Sequence, residues 1–183
     1  MQSPLETIKQ MWNVLNFYPD FHRKDVAART ERFILEAAPE QLFQVQKDLF
    51  AFATPYFLED HRISRIMQDF DGREVGLVIE GAYESILTFH ADGFSHRLGR
   101  GRECPVVFII VSREAYRDGV LKRVDPIKLV LTRKLRVKGK ATLARWALPH
   151  WQVLVDQSLF DKFLGYQDEV EDWIDEELRR LGY

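Results

Sequence analysis

The sequence predicts an α+β fold: a five-stranded, mainly antiparallel sheet covered by helices, with a helical extension ahead of it. Three observations carry this reading. Apolar residues recur at helical spacing through the first 70 positions, strand patterns then crowd between Glu74 and Val111, and helical spacing returns after one further strand at 134–138. Helices kept apart from a run of antiparallel strands define the α+β class. The 183 residues suit one domain with an extension, and 46% hydrophobic residues suffice for a substantial core. The chain divides into a helical span at 1–70, an α+β core at 71–155, and an acidic helical segment at 156–183.

The first helix carries Leu5, Ile8, Met11, Trp12 and Leu15, with Ser3 as N-cap and Pro4 at the first helical position. A second, Lys24 to Ala38, places Val26, Phe33 and Ile34 on one side and stops near Pro39. A third covers about Glu40 to Phe52. After Thr54-Pro55 a fourth carries Phe57, Ile63, Ile66 and Met67 and ends at Asp71-Gly72.

Strands follow over Glu74 to Glu80 and Tyr83 to His90. Asp92-Gly93 marks a tight hairpin that returns Phe94 to Leu98 antiparallel. Val106 to Val111 is apolar on both faces, so it belongs inside the sheet with both sides covered. Ser112 caps a short helix to Leu121, and Asp125-Pro126 starts another to about Leu131. In the next strand Leu135 and Val137 point one way and Lys134, Arg136 and Lys138 the other. Gly139 ends it. A helix from Ala141 bears Leu143, Trp146 and Ala147, is disturbed at Pro149, and resumes with Trp151, Leu154 and Val155. The last helix, about Asp168 to Leu181, is apolar along Val170, Trp173, Ile174 and Leu178.

The order from about Glu74 to Leu154 resembles the sterol carrier protein type 2 family. The carrying elements are VVFIIV, SREAYRDG with Gly119, VDPIKLVL, RKLRVKG with Gly139, and KATLARWALPHWQVL. Two positions depart from the family's habit. Thr132-Arg133 stands where a glycine is common, and Lys140 where Asp or Asn is common. The resemblance implies an apolar cavity between sheet and helices that holds a lipid, sterol, fatty acyl group or isoprenoid-quinone precursor. The residues expected to line it are Leu77, Ile79, Leu87, Phe89, Phe108, Ile110, Leu129, Leu135, Val137, Leu143, Trp146 and Trp151.

Charge is segregated. Between Lys122 and Arg145 stand nine basic residues and one acid, and between Asp156 and Tyr183 nine acids and three basic residues. Lys134, Arg136, Lys138, Lys140 and Arg145 are the candidate contact for anionic headgroups or a membrane surface. Two other readings compete: a charged solvent face that blocks edge pairing, and a surface on which the acidic helix lies. The rival to lipid binding is an interaction module that recruits a partner, or a second copy, through these blocks. Nucleic acid is not expected, because the chain is slightly acidic overall and lacks an exposed aromatic stacking motif.

No catalytic constellation stands out. Cys104 reads as a loop thiol, although Arg100 and Arg102 beside it favour a lowered pKa. Ser112 reads as a cap, and the glycines form no phosphate loop. With the turn at Asp92-Gly93, His90 and His96 fall on opposite faces, which argues against a shared metal. The expectation is a non-catalytic protein without metal or cofactor. One cysteine excludes an internal disulfide. The N-terminal MQSPLETIKQMWNV lacks a secretory pattern, and no run reaches the roughly 20 apolar residues of a membrane span, so a cytoplasmic location is expected.

Overall fold

The computed structural model describes residues 18–154 and 156–183, so the helix expected around Leu5 to Leu15 lies outside the described residues. Three helices come first: α1 (Lys24–Glu36), α2 (Pro39–Leu58) and α3 (His61–Phe70). The strands β1 (Glu74–Ile79), β2 (Tyr83–His90), β3 (Gly93–Leu98) and β4 (Val106–Ile110) follow. Then come α4 (Arg113–Val120), α5 (Pro126–Leu131) and β5 (Leu135–Lys138). The chain continues through α6 (Lys140–Ala147), a 3-10 turn (Leu148–His150), α7 (Trp151–Leu154), α8 (Gln157–Leu164) and α9 (Gln167–Arg180).

The strands form one five-stranded sheet in the order β3-β2-β1-β4-β5. β1 and β4 run parallel, and the other three pairings are antiparallel. The class is therefore α+β with a mixed, mainly antiparallel sheet. β4 lies between β1 and β5, inside the sheet as its apolar character required, while β1 is the middle strand.

Register decides which side chains share a face. Leu77 pairs with Ser85 and Phe108, and Phe108 with Val137; Ile79 pairs with Ile110, and Ile110 with Leu135. One face, called inner here, thus carries Val75, Leu77, Ile79, Leu87, Phe89, Phe108, Ile110, Leu135 and Val137. The other carries Val78, Val107, Ile109, Arg136 and Lys138.

The inner face is where the main core sits. Phe33 and Ile34 of α1, Leu42, Leu49 and Phe50 of α2, and Val170, Ile174 and Leu178 of α9 meet Ile79, Tyr83 and Leu87 there. A smaller cluster joins Ile63, Ile66 and Met67 of α3 to Leu159 and Phe163 of α8. On the outer face, Val78, Val107 and Ile109 are buried together beside Cys104. The cover is the 99–105 connection, which crosses so closely that a Cβ on Gly76 would stand 1.9 Å from the Gly101 carbonyl oxygen. Gly101 has its own reason: its Cβ would lie 2.5 Å from the Ser85 carbonyl oxygen. Two backbones need these glycines in order to touch.

Several boundaries differ from expectation, each for a physical reason. α2 runs through Pro55 to Leu58 rather than ending near Phe52. The proline removes one backbone donor, but Ala53 and Phe50 are buried on the same helix and keep it in register. The real break is at Asp60, whose carboxylate accepts the Arg62 N–H at 2.9 Å and caps α3. The hairpin turn is Ala91-Asp92, with His90 opposite Gly93 and Leu87 opposite His96. The two histidines still fall on opposite faces. α8 was not expected; Asp156 caps it by accepting from Ser158 N–H at 2.9 Å. Ser112 and Asp125 cap α4 and α5 as read, accepting from Ala115 N–H at 3.2 Å and Ile127 N–H at 2.9 Å.

Arg133, just ahead of β5, adopts φ of 59°. The backbone thus keeps the left-handed turn that glycine would favour, at a cost of about 1 kcal/mol for a side chain. Gly139 is left-handed at φ 72°, and a Cβ there would be 2.0 Å from the Pro105 carbonyl oxygen.

The acidic helix does not lie on the basic strand. α9 packs along α1 instead: Asp175 meets Arg29 at 2.8 Å and Asp172 meets Arg23 at 2.8 Å. Glu171 is buried and accepts the backbone N–H groups of His22 at 3.1 Å and Arg23 at 2.9 Å, immediately ahead of α1. A carboxylate at the positive end of a helix, holding two orphan donors, is a strong arrangement.

Candidate functional site

Eight of the twelve expected lining residues are strand residues, and register places all eight on the inner face: Leu77, Ile79, Leu87, Phe89, Phe108, Ile110, Leu135 and Val137. They are not equally covered. Ile79 and Leu87 are buried in the core, and Phe89 packs edge-on against Phe70 and Phe94 at 5.4 and 5.2 Å. Leu129 on α5 and Leu135 are buried as well. Leu77, Phe108 and Val137 form one row across β1, β4 and β5, and all three are only half-buried, as is Ile110 in the next row. Strand spacing makes that row about 10 Å wide.

This inverts the usual pattern. On β4 the residues facing outward, Val107 and Ile109, are buried, while of the three facing inward only Val106 is buried and Phe108 and Ile110 stay partly open. α2 covers the inner face over β2 and β3, and on the other side α6 packs along β4. α6 has no fully buried residue; Leu143 and Trp146, three apart and therefore on one face, are half-buried. The half-buried row Leu77, Phe108 and Val137, with Ile110 beside it, is the candidate groove over β4 and β5. Trp151 stands apart beyond the Pro149 break and is 40% exposed, with Leu148 67% exposed beside it.

Polar residues interrupt the inner face at two places, one weighed in the sequence only as a metal candidate and the other not singled out. His96, opposite Leu87, is buried between Phe43 and Phe50, with ring centroids 4.9 and 5.1 Å away. Its Nε2 lies 2.9 Å from the Oγ of Ser85, which in turn donates to the Leu77 carbonyl at 3.3 Å. Nε2 is therefore the protonated nitrogen, and Nδ1 has no partner. Burial, helped by Lys47, pushes the imidazole pKa down to about 4. A neutral histidine on a fully buried serine is part of the core, without access for a substrate.

The second is Arg73. It pairs across the ladder with Phe89, since Phe89 N–H donates to Arg73 O at 3.0 Å, so it alternates onto the same face as Val75 and Leu77. Its guanidinium lies over the rings of Phe70 and Trp146, at 4.6 and 5.1 Å. The signal was present in the sequence: a lone cation in phase with an apolar stripe.

The basic residues divide. Arg136 is held by Glu80 at 2.7 Å within an outer-face network in which Arg102 meets Glu80 at 3.2 Å and Glu84 at 2.8 Å. Lys134 reaches Asp118 at 3.8 Å. Lys138, Lys140 and Arg145 are exposed and have no ion-pair partner among the described residues. Arg100 and Arg102 do not activate Cys104, because they are engaged by Glu103 and by Glu80 and Glu84. Burial, with Glu74 and Glu103 nearby, raises the thiol pKa instead. His150 meets Asp69 at 3.4 Å and packs on Phe70. His22, Asp168 and Glu171 come within 4.8 Å of one another, but both Glu171 oxygens already accept backbone donors, so the group reads as a helix cap.

The fold and groove together define an α+β domain with a partly open apolar sheet face. No protein-family profile matches the chain, and no curated protein matches it. Among solved structures, it is similar to a protein described as "UbiJ-SCP2 Ubiquinone synthesis protein". That likeness has 11% identity and a TM-score of 0.37, over 67% of this chain and 92% of the other. It is also similar to the stereoselective inverting sec-alkylsulfatase Pisa1 from Pseudomonas sp., at 14% identity and a TM-score of 0.38. There the match covers 65% of this chain and 15% of the sulfatase. Likenesses at this level carry no argument about ligand or chemistry. Among the described residues, no helix is long and apolar enough to cross a membrane.

Proposed function

We propose that the chain binds an elongated, lipid-like molecule in the groove over β4 and β5 and presents or transfers it without catalysing a reaction. The observation that carries the proposal is the half-buried row Leu77–Phe108–Val137, apolar and on the inner face of the sheet. A folded domain gains by covering such a row, and each ligand methylene buried against it contributes about 0.8 kcal/mol. The sequence motifs from VVFIIV to KATLARWALPHWQVL support a sterol-carrier-like reading of the same surface.

Delivery would use the exposed end of α6. Leu148 and Trp151 project there, and Lys140 and Arg145 precede them without ion-pair partners among the described residues. An aromatic and an aliphatic residue beside free cations suit the boundary of an anionic membrane. The test is direct: extract the purified protein with organic solvent, look for stoichiometric lipid, and titrate a fluorescent fatty acid. Saturable binding that is lost in Phe108→Asp supports the proposal. No extracted lipid and no binding of any apolar probe would sink it.

A further inference from the structure

Among the described residues, Arg73 is the one guanidinium on the inner face of the sheet, and its charge is unanswered. Its Nη1 is buried and has no hydrogen-bond partner, and no ion pair reaches the side chain among the described residues. Nearby acids are occupied elsewhere: Glu74 points to the opposite face and holds Arg97 at 3.2 Å, while Asp69 is the partner of His150 at 3.4 Å. What the protein offers Arg73 is two aromatic rings, Phe70 at the end of α3 and Trp146 from α6. Such contacts position a cation and offset part of its burial, but they do not fill its in-plane donors. A buried donor left unmade costs more than a typical hydrogen bond returns.

The location gives this a direction. Arg73, Val75 and Leu77 alternate down the same face of β1, so Arg73 lies about 13 Å along the strand from the open row at Leu77. Trp146, which stacks on Arg73, belongs to the helix that borders the groove. One end of the apolar surface therefore carries a fixed, planar, permanently charged fork, the group that matches an oxyanion with two parallel hydrogen bonds.

We propose that Arg73 is the head-group anchor of the groove and that the preferred ligand is an anionic single-chain amphiphile. Its oxyanion head pairs with the guanidinium, and its tail runs toward Leu77, Phe108 and Val137. This rests on the lipid-binding reading above and makes it more specific: a neutral molecule of the same length should bind worse.

The experiment is isothermal titration of the full chain with dodecanoate, dodecyl phosphate and dodecanol, repeated for Arg73→Gln. Wild type should bind the anions about tenfold or more tighter than the alcohol, the loss of one charge-assisted hydrogen bond being enough for that. Equal preference for carboxylate and phosphate is expected from a shared oxyanion fork; if only one binds tightly, it identifies the source of the head group. Arg73→Gln should erase the preference while leaving dodecanol affinity within about twofold. If wild type binds all three alike, the anchor is refuted and the groove stands. If the variant loses anions and alcohol equally, Arg73 is structural and the inference also falls. If nothing binds, the groove itself is wrong. The wild-type comparison alone decides the matter should the variant not fold.

Discussion

Acidification should weaken this fold through one residue, His96. In the folded chain its pKa is pushed down to about 4, because the ring is buried between Phe43 and Phe50 and its Nδ1 has no acceptor to share a proton with. Unfolded, it returns to the ordinary value near 6.5. Between those values the unfolded chain binds a proton that the folded chain refuses, so stability is intact above about pH 6.5 and falls as pH drops toward 4. Linkage puts the loss at about 2 kcal/mol between pH 7 and pH 5 and about 3 kcal/mol by pH 4. Carboxylates held low by arginine, such as Glu31 by Arg123 and Glu177 by Arg180, lose their contribution only below about pH 5, and do so in wild type and variant alike. Asp60, held down to about 2 by Arg62, gives up its contribution only below the ordinary carboxylate range. The assay is urea unfolding at pH 7 and pH 5 for wild type and His96→Gln, which keeps a donor for Ser85 but cannot titrate. His96→Gln should be less stable at pH 7 yet lose about 2 kcal/mol less on acidification. Parallel pH dependence in the two proteins would refute the reasoning, because every other titrating group is common to both.

Other expectations follow from the same geometry. Gly76→Ala should cost about 3 kcal/mol by thermal unfolding, because its Cβ meets backbone at 1.9 Å and neither strand nor crossing loop can move alone. Arg133→Gly should be neutral or slightly stabilising, whereas Arg133→Val should cost about 1–2 kcal/mol, since φ of 59° suits glycine and strains a branched side chain; equal effects in chemical denaturation would contradict this. Arg113→Ala should cost about 1–2 kcal/mol, because Nη1 donates to the Ala37 carbonyl at 2.6 Å and to those of Ile34 and Leu35, closing the end of α1. Charge reversal at Lys140 and Arg145 should abolish co-sedimentation with anionic vesicles while leaving the melting temperature unchanged, as both are exposed and unpaired.

The sheet was largely legible because its information is local. Period-two alternation at 134–138 and the doubly apolar β4 follow from chain geometry alone. So do the caps at Ser112 and Asp125. What escaped was set by distant contacts. Pro55 stops helices in isolation, but the burial of Phe50 and Ala53 overrides it here. The crossing of Gly76 and Gly101 cannot be seen from either glycine alone. The candidate groove was half legible: parity assigns Leu77, Phe108 and Val137 to one face, but only the tertiary packing leaves that row half-buried while Ile79 and Leu87 are sealed. Arg73 was missed because apolar residues were sought on that face, and the one charge in phase with them carried the more specific message.

The buried carboxylate of Glu171 has a consequence in time. It completes the start of α1 from a position 148 residues further along the chain, at the Arg23 N–H. At ribosomal speeds of about 5–20 residues per second, the interval between making one partner and the other is on the order of ten seconds. During that interval the apolar sides of Phe33 and Ile34 lack the Ile174 and Leu178 that cover them in the finished core. The nascent chain must therefore keep the start of α1 unfinished until every strand of the sheet has been made. Chaperone dependence in cells should fall on this early segment rather than on the strands.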